Sequence, residues 1–383
     1  MTPARAVRSD AAPGAPGGGR VSDLLVVDWD RAARWAGRLA PPGPAVTRDE
    51  AAEAVAALRD AAERAYPLAL RASRLGTAVK AAGREDQRAA VAVLDRPGWA
   101  LAAARSFQGL APVPDRAPDG VVDHLRAGPA TGQAAGLLSL LAARVLGQFD
   151  PFATDAPAGG RLVLVAPNVL HMRARLSADL HDFALWVCVH EQTHALQFAA
   201  APWLADHLRT EVRGLVAELS ARGPELTSAV ERALSAARRR GSSRPAGVAD
   251  GPADDDLGVL GLVLDPAQRE RLDAVTATMS LLEGHAEVAM DSVGARSIPS
   301  ARRLRARFDA QRRRRASPAD RVLRRLLGLE AKMAQYRRGA AFVRAVRTTG
   351  GSAALDAVWA GPHALPSARE IADPRAWVRR VHG

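Results

Sequence analysis

The scarcity of aromatic side chains constrains this sequence more than any other feature. Of its 383 residues, 48% are apolar but only 4% are aromatic, so alanine and leucine must fill the interior. Both rank at the top of intrinsic helix propensity, and the expected fold is mainly α with a small β element. The single cysteine, Cys188, excludes a disulfide-stapled scaffold. No apolar run approaches the roughly 18 residues a membrane span needs. The Pro/Gly/Ala-rich stretch at residues 1–20 lacks the apolar segment of a secretory signal. A soluble, cytoplasmic chain with no membrane contact is the expectation.

Charge is distributed unevenly. The chain carries 53 basic and 41 acidic residues, net +12. Residues 1–300 hold 33 basic and 35 acidic side chains, whereas residues 301–383 hold 20 and 6. A basic stripe of this kind attracts nucleic acid or an acidic partner, or it is simply a solvated helix face. Phe308 alone offers an aromatic ring near the arginine run at 301–325, so stacking on single-stranded nucleic acid has little support. The solvated face is the expected reading, and nucleic acid is not the expected partner.

Along the chain, residues 1–20 read as a disordered tail and 21–383 as one domain. That domain divides into a helical part (21–150), a central part (151–300) and a basic helical part (301–383). Helices are expected at 31–39, 48–75 (kinked or interrupted at Pro67), 80–94, 98–107 and 132–146. Arg161–Val165 (RLVLV), between Gly159-Gly160 and Pro167-Asn168, is the clearest strand, and a candidate edge for pairing with an extended substrate. Ser177 is the expected N-cap of a helix over 178–200, and a further helix follows at 205–222. Residues 237–256 form a low-complexity insertion. Asp265-Pro266 then opens a long helix to about Ser292, with a capping residue followed by proline at the first helical position.

The 178–200 helix contains His190-Glu-Gln-Thr-His194, an HExxH pattern. Spacing of i, i+4 sets both imidazoles on one helix face a turn apart, as two ligands of one zinc ion require. Glu191 is offset by one residue, close enough to take a proton from water without being a ligand. A catalytic zinc needs a third protein ligand and an open position. The long helix offers Glu283, Glu287 and Asp291 at four-residue intervals beside an apolar side of Leu272, Val275, Met279, Leu282, Ala286 and Ala289. Glu283 is the expected third ligand. Glu287 is expected behind it, holding a ligating histidine by its other nitrogen. His285 lies about 200° around the helix from Glu283, which a regular helix would not aim at the same ion. Cys188 falls on the opposite face from His190 and reads as a buried small residue. Tyr336 is the candidate oxyanion donor; Asn168 and His171 are weaker candidates of that type.

HEQTH with a downstream EGHAE is similar to the gluzincin pattern, although 88 residues separate His194 from Glu283 here. The sequence resembles more closely the actinobacterial zincin-like metallopeptidase family, sometimes linked with deazaflavin coenzyme biosynthesis. The resemblance rests on VDWD (27–30), DRPGW (95–99), VAPNV (165–169), LWVCVHEQTHALQF (185–198), LEGHAE (282–287), KMAQY (332–336) and DPRAW (373–377). It implies a zincin-like fold, Zn2+ held by His190, His194 and Glu283, and Glu191 as general base. No flavin or deazaflavin site is visible in these residues. The expected function is therefore zinc-dependent hydrolysis of a peptide or small amide. The alternative is a binding module with a structural or inactive zinc site, acting through the basic C-terminal helices.

Overall fold

The computed structural model describes residues 27–111, 121–153, 155–221, 264–313 and 329–383. The expected tail (1–20) and low-complexity insertion (237–256) lie outside these residues. The first half comprises α1 (Trp29–Leu39), α2 (Arg48–Ser73), α3 (Gly76–Ala81), β1 (Ala90–Leu94), α4 (Arg96–Leu110), α5 (Val121–Ala142) and β2 (Gly147–Asp150). After β3 (Arg161–Val165) the chain is helical: α6 (Ala166–Leu176), α7 (Leu180–Ala200), α8 (Leu204–Ala221), α9 (Pro266–Ser292), α10 (Ala301–Arg313), α11 (Leu329–Asp356), α12 (Ala368–Ala372) and α13 (Pro374–His382).

The strands form one sheet in the order β1-β3-β2, with β1 parallel and β2 antiparallel to β3. β3 is thus the central strand, which removes it as the edge for substrate pairing; the outer strands are β1 and β2. Both faces of β3 are covered, so its apolar residues run without a polar alternation. Leu162 and Leu164 face a large core shared with α2 and α7. Val163 and Val165 face a smaller core built from alanines of α1, α4 and α5 around Trp99 and Leu138. The two-residue period of a strand thereby feeds two cores from one segment.

Several local expectations change. The 80–94 helix is replaced by the end of α3 and by β1, because Ala90–Leu94 finds a parallel partner in β3 from Ala90↔Arg161 to Leu94↔Val165. Such a short apolar run takes its conformation from its neighbours more than from propensity. The 132–146 helix ends at Ala142, and Gly147 starts β2 instead of closing the helix. Pro167 occupies the first turn of α6, where its missing N–H costs nothing, so a helix follows the strand directly. Ser177 closes α6 in a left-handed conformation, and Asp179 caps α7 through the Asp182 N–H. Pro67 does not break α2; it stands on the exposed side beside Glu63, where a freed carbonyl meets solvent. The Asp265 cap and the span of α9 are as expected, with Gln268 completing a capping box.

α7 is apolar almost all round and runs through the large core, which its sequence dictates. It lies on a stripe of α2 made of Ala54, Leu58, Ala61, Ala62, Ala65 and Ala69, whose small side chains permit close approach. α9 crosses α7 and is backed by α11. There the backbones touch: a Cβ on Gly284 would stand 2.1 Å from the Gly339 carbonyl carbon, and one on Gly339 would stand 1.8 Å from the Ser280 oxygen. Gly284→Ala is therefore expected to destabilise the protein by roughly 2 kcal/mol or more, since neither backbone can yield as a flexible side chain would. Gly136→Ala on α5, where nothing lies within 4 Å of the added carbon, should be neutral or stabilising by about 0.5 kcal/mol. Urea titration of the two variants compares them.

Candidate metal centre

His190 and His194 project from adjacent turns of α7, and Glu283 reaches them from α9. The two histidine Nε2 atoms are 3.2 Å apart. Glu283 Oε2 lies 3.4 Å from His190 Nε2 and 3.9 Å from His194 Nε2. Each of the three residues offers one ligand atom, all within 4.8 Å of one another, and among the described residues no other group of acidic, histidine or cysteine side chains converges in this way. Tetrahedral zinc with bonds of about 2.0–2.1 Å sets its ligand atoms about 3.3 Å apart, so the spacing fits. Two imidazoles and a carboxylate are also a donor set that suits zinc.

The site opens on a cleft of ≈ 190 Å³ between α7, α9, α10 and the start of β2. Leu146, Trp186, Val187, Met290 and Phe308 give it apolar walls, and Glu191 lies in it beside His190. Burial pushes the Glu191 carboxyl up to about 7; His190 opposes the shift, Glu283 adds to it and the Phe149 backbone N–H opposes it. Burial disfavours a charged His190 ring, but Glu283, Glu191 and Glu287 outweigh it and its pKa is raised. For His194 burial prevails, and its pKa is lowered.

The expected role of Glu287 behind a histidine is not seen. Among the described residues His190 Nδ1 has no hydrogen-bond partner, and His194 Nδ1 faces Gln197 Oε1 at 2.9 Å. Glu287 instead pairs with Arg305 of α10 at 2.7 Å. Arg305 also binds Asp291 and lies 5.3 Å from the centre of the Trp186 ring. It lines the cleft, so the arginine-rich segment is more than a solvated face.

Other candidates fall elsewhere. Asn168 is buried and fully used: it accepts from Arg96 Nε and donates to the Ala142 and Val145 carbonyls, which excludes it as an oxyanion donor. His171 is exposed on α6. Cys188 points at α2, with Sγ 4.0 Å from the Leu58 carbonyl, and burial holds its thiol far above the ordinary range. Tyr336 belongs to α11, but its side chain lies outside the described residues. His285 is buried behind the site, not in it.

Three residues of the site escaped the sequence reading. Gln197 stands three positions after His194, a helical spacing that marks it as a neighbour. Arg305 comes from a distant helix and left no local signal. Gly147 abuts Glu191 so closely that a Cβ there would lie 2.8 Å from Glu191 Cγ.

The model of the zincin-like metallopeptidase family matches residues 27–378, and the chain belongs to that family. A solved structure from Chloroflexus aurantiacus, a candidate hydrolase with a novel fold, is 30% identical to it. The match covers 93% of this chain and 98% of that one, with a TM-score of 0.59. No curated protein matches the chain. Among the described residues no helix is long and apolar enough to cross a membrane.

A ligand that binds only the folded state stabilises it, by about 2.7 kcal/mol at a hundred times its dissociation constant. Zinc should therefore raise the melting temperature, and a chelator should reverse the rise. His190→Ala and His194→Ala should abolish the response, as read by calorimetry at matched free zinc.

Proposed function

We propose that this chain is a zinc-dependent hydrolase that cleaves peptide bonds or small amides. The observation that carries the reading is the convergence of His190, His194 and Glu283, with His190, Glu283 and Glu191 lining an open cleft. Family membership and the hydrolase relative support it. Zinc, when bound, supplies a Lewis acid that acidifies water to a pKa near 7 and polarises a carbonyl.

The chain's own residues divide the remaining work. His190 Nε2, His194 Nε2 and a Glu283 oxygen would hold the ion. A Glu191 oxygen takes the proton of the attacking water and returns it to the leaving amine. The apolar walls keep bulk water from the reacting groups and offer room for an apolar side chain. β2 is the outer strand that borders Glu191, and an extended substrate would pair along it rather than along β3. Tyr336 is retained as the oxyanion donor, to be checked by Tyr336→Phe, for which a fall in kcat of about 100-fold is expected. No nucleic-acid partner is proposed, and the substrate is a peptide or small amide.

The deciding experiment compares zinc-loaded, zinc-free and Glu191→Gln protein against a broad peptide library. Glu191→Gln is expected to bind zinc normally and lose turnover by about 100-fold or more. Purified protein that holds no stoichiometric metal would sink the proposal, as would unaltered turnover in Glu191→Gln. Gly147→Ala offers an independent check. Its methyl group would displace Glu191, so turnover should fall at least tenfold while zinc affinity changes less than twofold.

A further inference from the structure

We propose that Gln197 and His285 form a buried relay that fixes the proton of His194 on Nδ1, so that its Nε2 lone pair is held ready for the metal. The inference rests on the reading of His194 as a ligand. Neither Gln197 nor His285 has any exposed surface, and neither is in the cleft. The proton positions follow from the backbone carbonyl that the Gln197 amide meets and from the bonding rules of each group beyond it.

The series begins at two backbone carbonyls, which only accept. Gln197 Nε2 lies 2.8 Å from the Leu282 carbonyl, so the amide NH2 must point there and Oε1 must point the other way. That oxygen is 2.9 Å from His194 Nδ1, which must therefore carry a hydrogen. A neutral imidazole protonated at Nδ1 has its lone pair on Nε2, the atom that faces His190 and Glu283. The same Gln197 NH2 lies 3.1 Å from His285 Nδ1, which must accept. His285 Nε2 must then donate, and the Ser73 carbonyl stands 3.1 Å away to receive it. Arg347 Nη2 lies 3.0 Å from the same carbonyl and 3.1 Å from His285 Nε2; because Nε2 carries the hydrogen that Nδ1 lacks, Arg347 donates to Ser73.

The amide is thus oriented by the Leu282 carbonyl, and His285, accepting at Nδ1, completes the bonding of its NH2 group. A flipped amide would set its oxygen against the Leu282 carbonyl with no proton between them. The relay draws on α7, α9 and the C-terminal end of α2, and it joins the ligand to three of the helices that enclose it. Zinc ligands of this kind commonly donate their second nitrogen to a carboxylate. Here an uncharged amide oxygen takes the carboxylate's place as acceptor, and its direction has to be imposed from behind. Gln197 and His285 are positioning residues, since neither touches the substrate side.

The test uses the zinc-free, full-length protein with 15N-labelled histidine. Long-range proton–nitrogen correlation should show His194 protonated at Nδ1 and bare at Nε2; a hydrogen on Nε2 overturns the relay. Zinc affinity, measured by competition with a chromophoric chelator, should fall roughly 10- to 100-fold in Gln197→Leu. Gln192→Leu is the control. It is a buried amide on the same helix, bonded to the Ala62 carbonyl on α2, and its loss should change zinc affinity less than twofold. Equal losses in the two variants, or none in Gln197→Leu, overturn the proposal. Should Gln197→Leu fail to fold, the tautomer of the wild-type protein still decides. Wild-type protein that binds no zinc defeats the metal reading, whereas the tautomer tests the relay separately.

Discussion

Burying α7 is the constraint from which the rest of the structure follows. A helix enclosed on nearly all sides has no access to water, so each of its polar side chains must find a partner within the protein. Thr193 turns back onto the Val189 carbonyl, Gln192 reaches the Ala62 carbonyl on α2, and Gln197 reaches the Leu282 carbonyl on α9. The Gln192 and Gln197 contacts hold α7 in register with the helices on either side of it. His190 and Glu191 line the cleft, whereas His194 turns its Nδ1 inward to Gln197. The cleft and the candidate metal centre coincide because the wall that makes the core is absent there.

Alanine and glycine supply the tolerance this arrangement needs. α2 approaches α7 across a stripe of alanines, and α9 meets α11 where Gly284 and Gly339 let their backbones touch. Gly284 follows Glu283 directly, so the contact that fixes α9 also fixes the depth from which Glu283 reaches the histidines. A bulkier core of phenylalanine and tryptophan would fill the same volume with fewer residues, but it would hold these backbones apart. The aromatic-poor composition is in this sense a condition for the site, since a His-His-Glu convergence within 4.8 Å needs α7 and α9 nearly in contact.

What the sequence disclosed depended on how local the cause was. HExxH, the Asp265-Pro266 cap and the RLVLV strand were legible because spacing and flanking residues within one element determine them. Glu283 was reachable because its four-residue repeat with Glu287 and Asp291 marks a helix face. β1 was not legible, since Ala90–Leu94 becomes a strand only by pairing with residues about 70 positions later. α6 was hidden by Pro167, which ends a strand and opens a helix equally well. Glu287 was assigned a histidine because it is acidic and near, yet Arg305 on α10 holds it instead. Gln197 was overlooked for the converse reason: an uncharged residue three positions from His194 attracts no attention until its partners are known.

The charge of the C-terminal region divides along the same line. Net charge counts side chains without regard to where they point, and a run of arginines reads as a solvated face by default. Arg302 and Arg303 are exposed, as that reading requires. Arg305, two residues on, turns inward to Glu287 and Asp291 and forms part of the cleft. Arg307 donates to the Leu176 and Ser177 carbonyls that end α6. Arg347 on α11 reaches the Ser73 carbonyl at the end of α2. Guanidinium groups suit such positions because several fixed donors can satisfy carbonyls or carboxylates from more than one helix at once. The acidic stripe of α9 and part of the basic excess are therefore one feature. Carboxylates beside the metal site require cations on their far side, and α10 provides one by packing across the cleft.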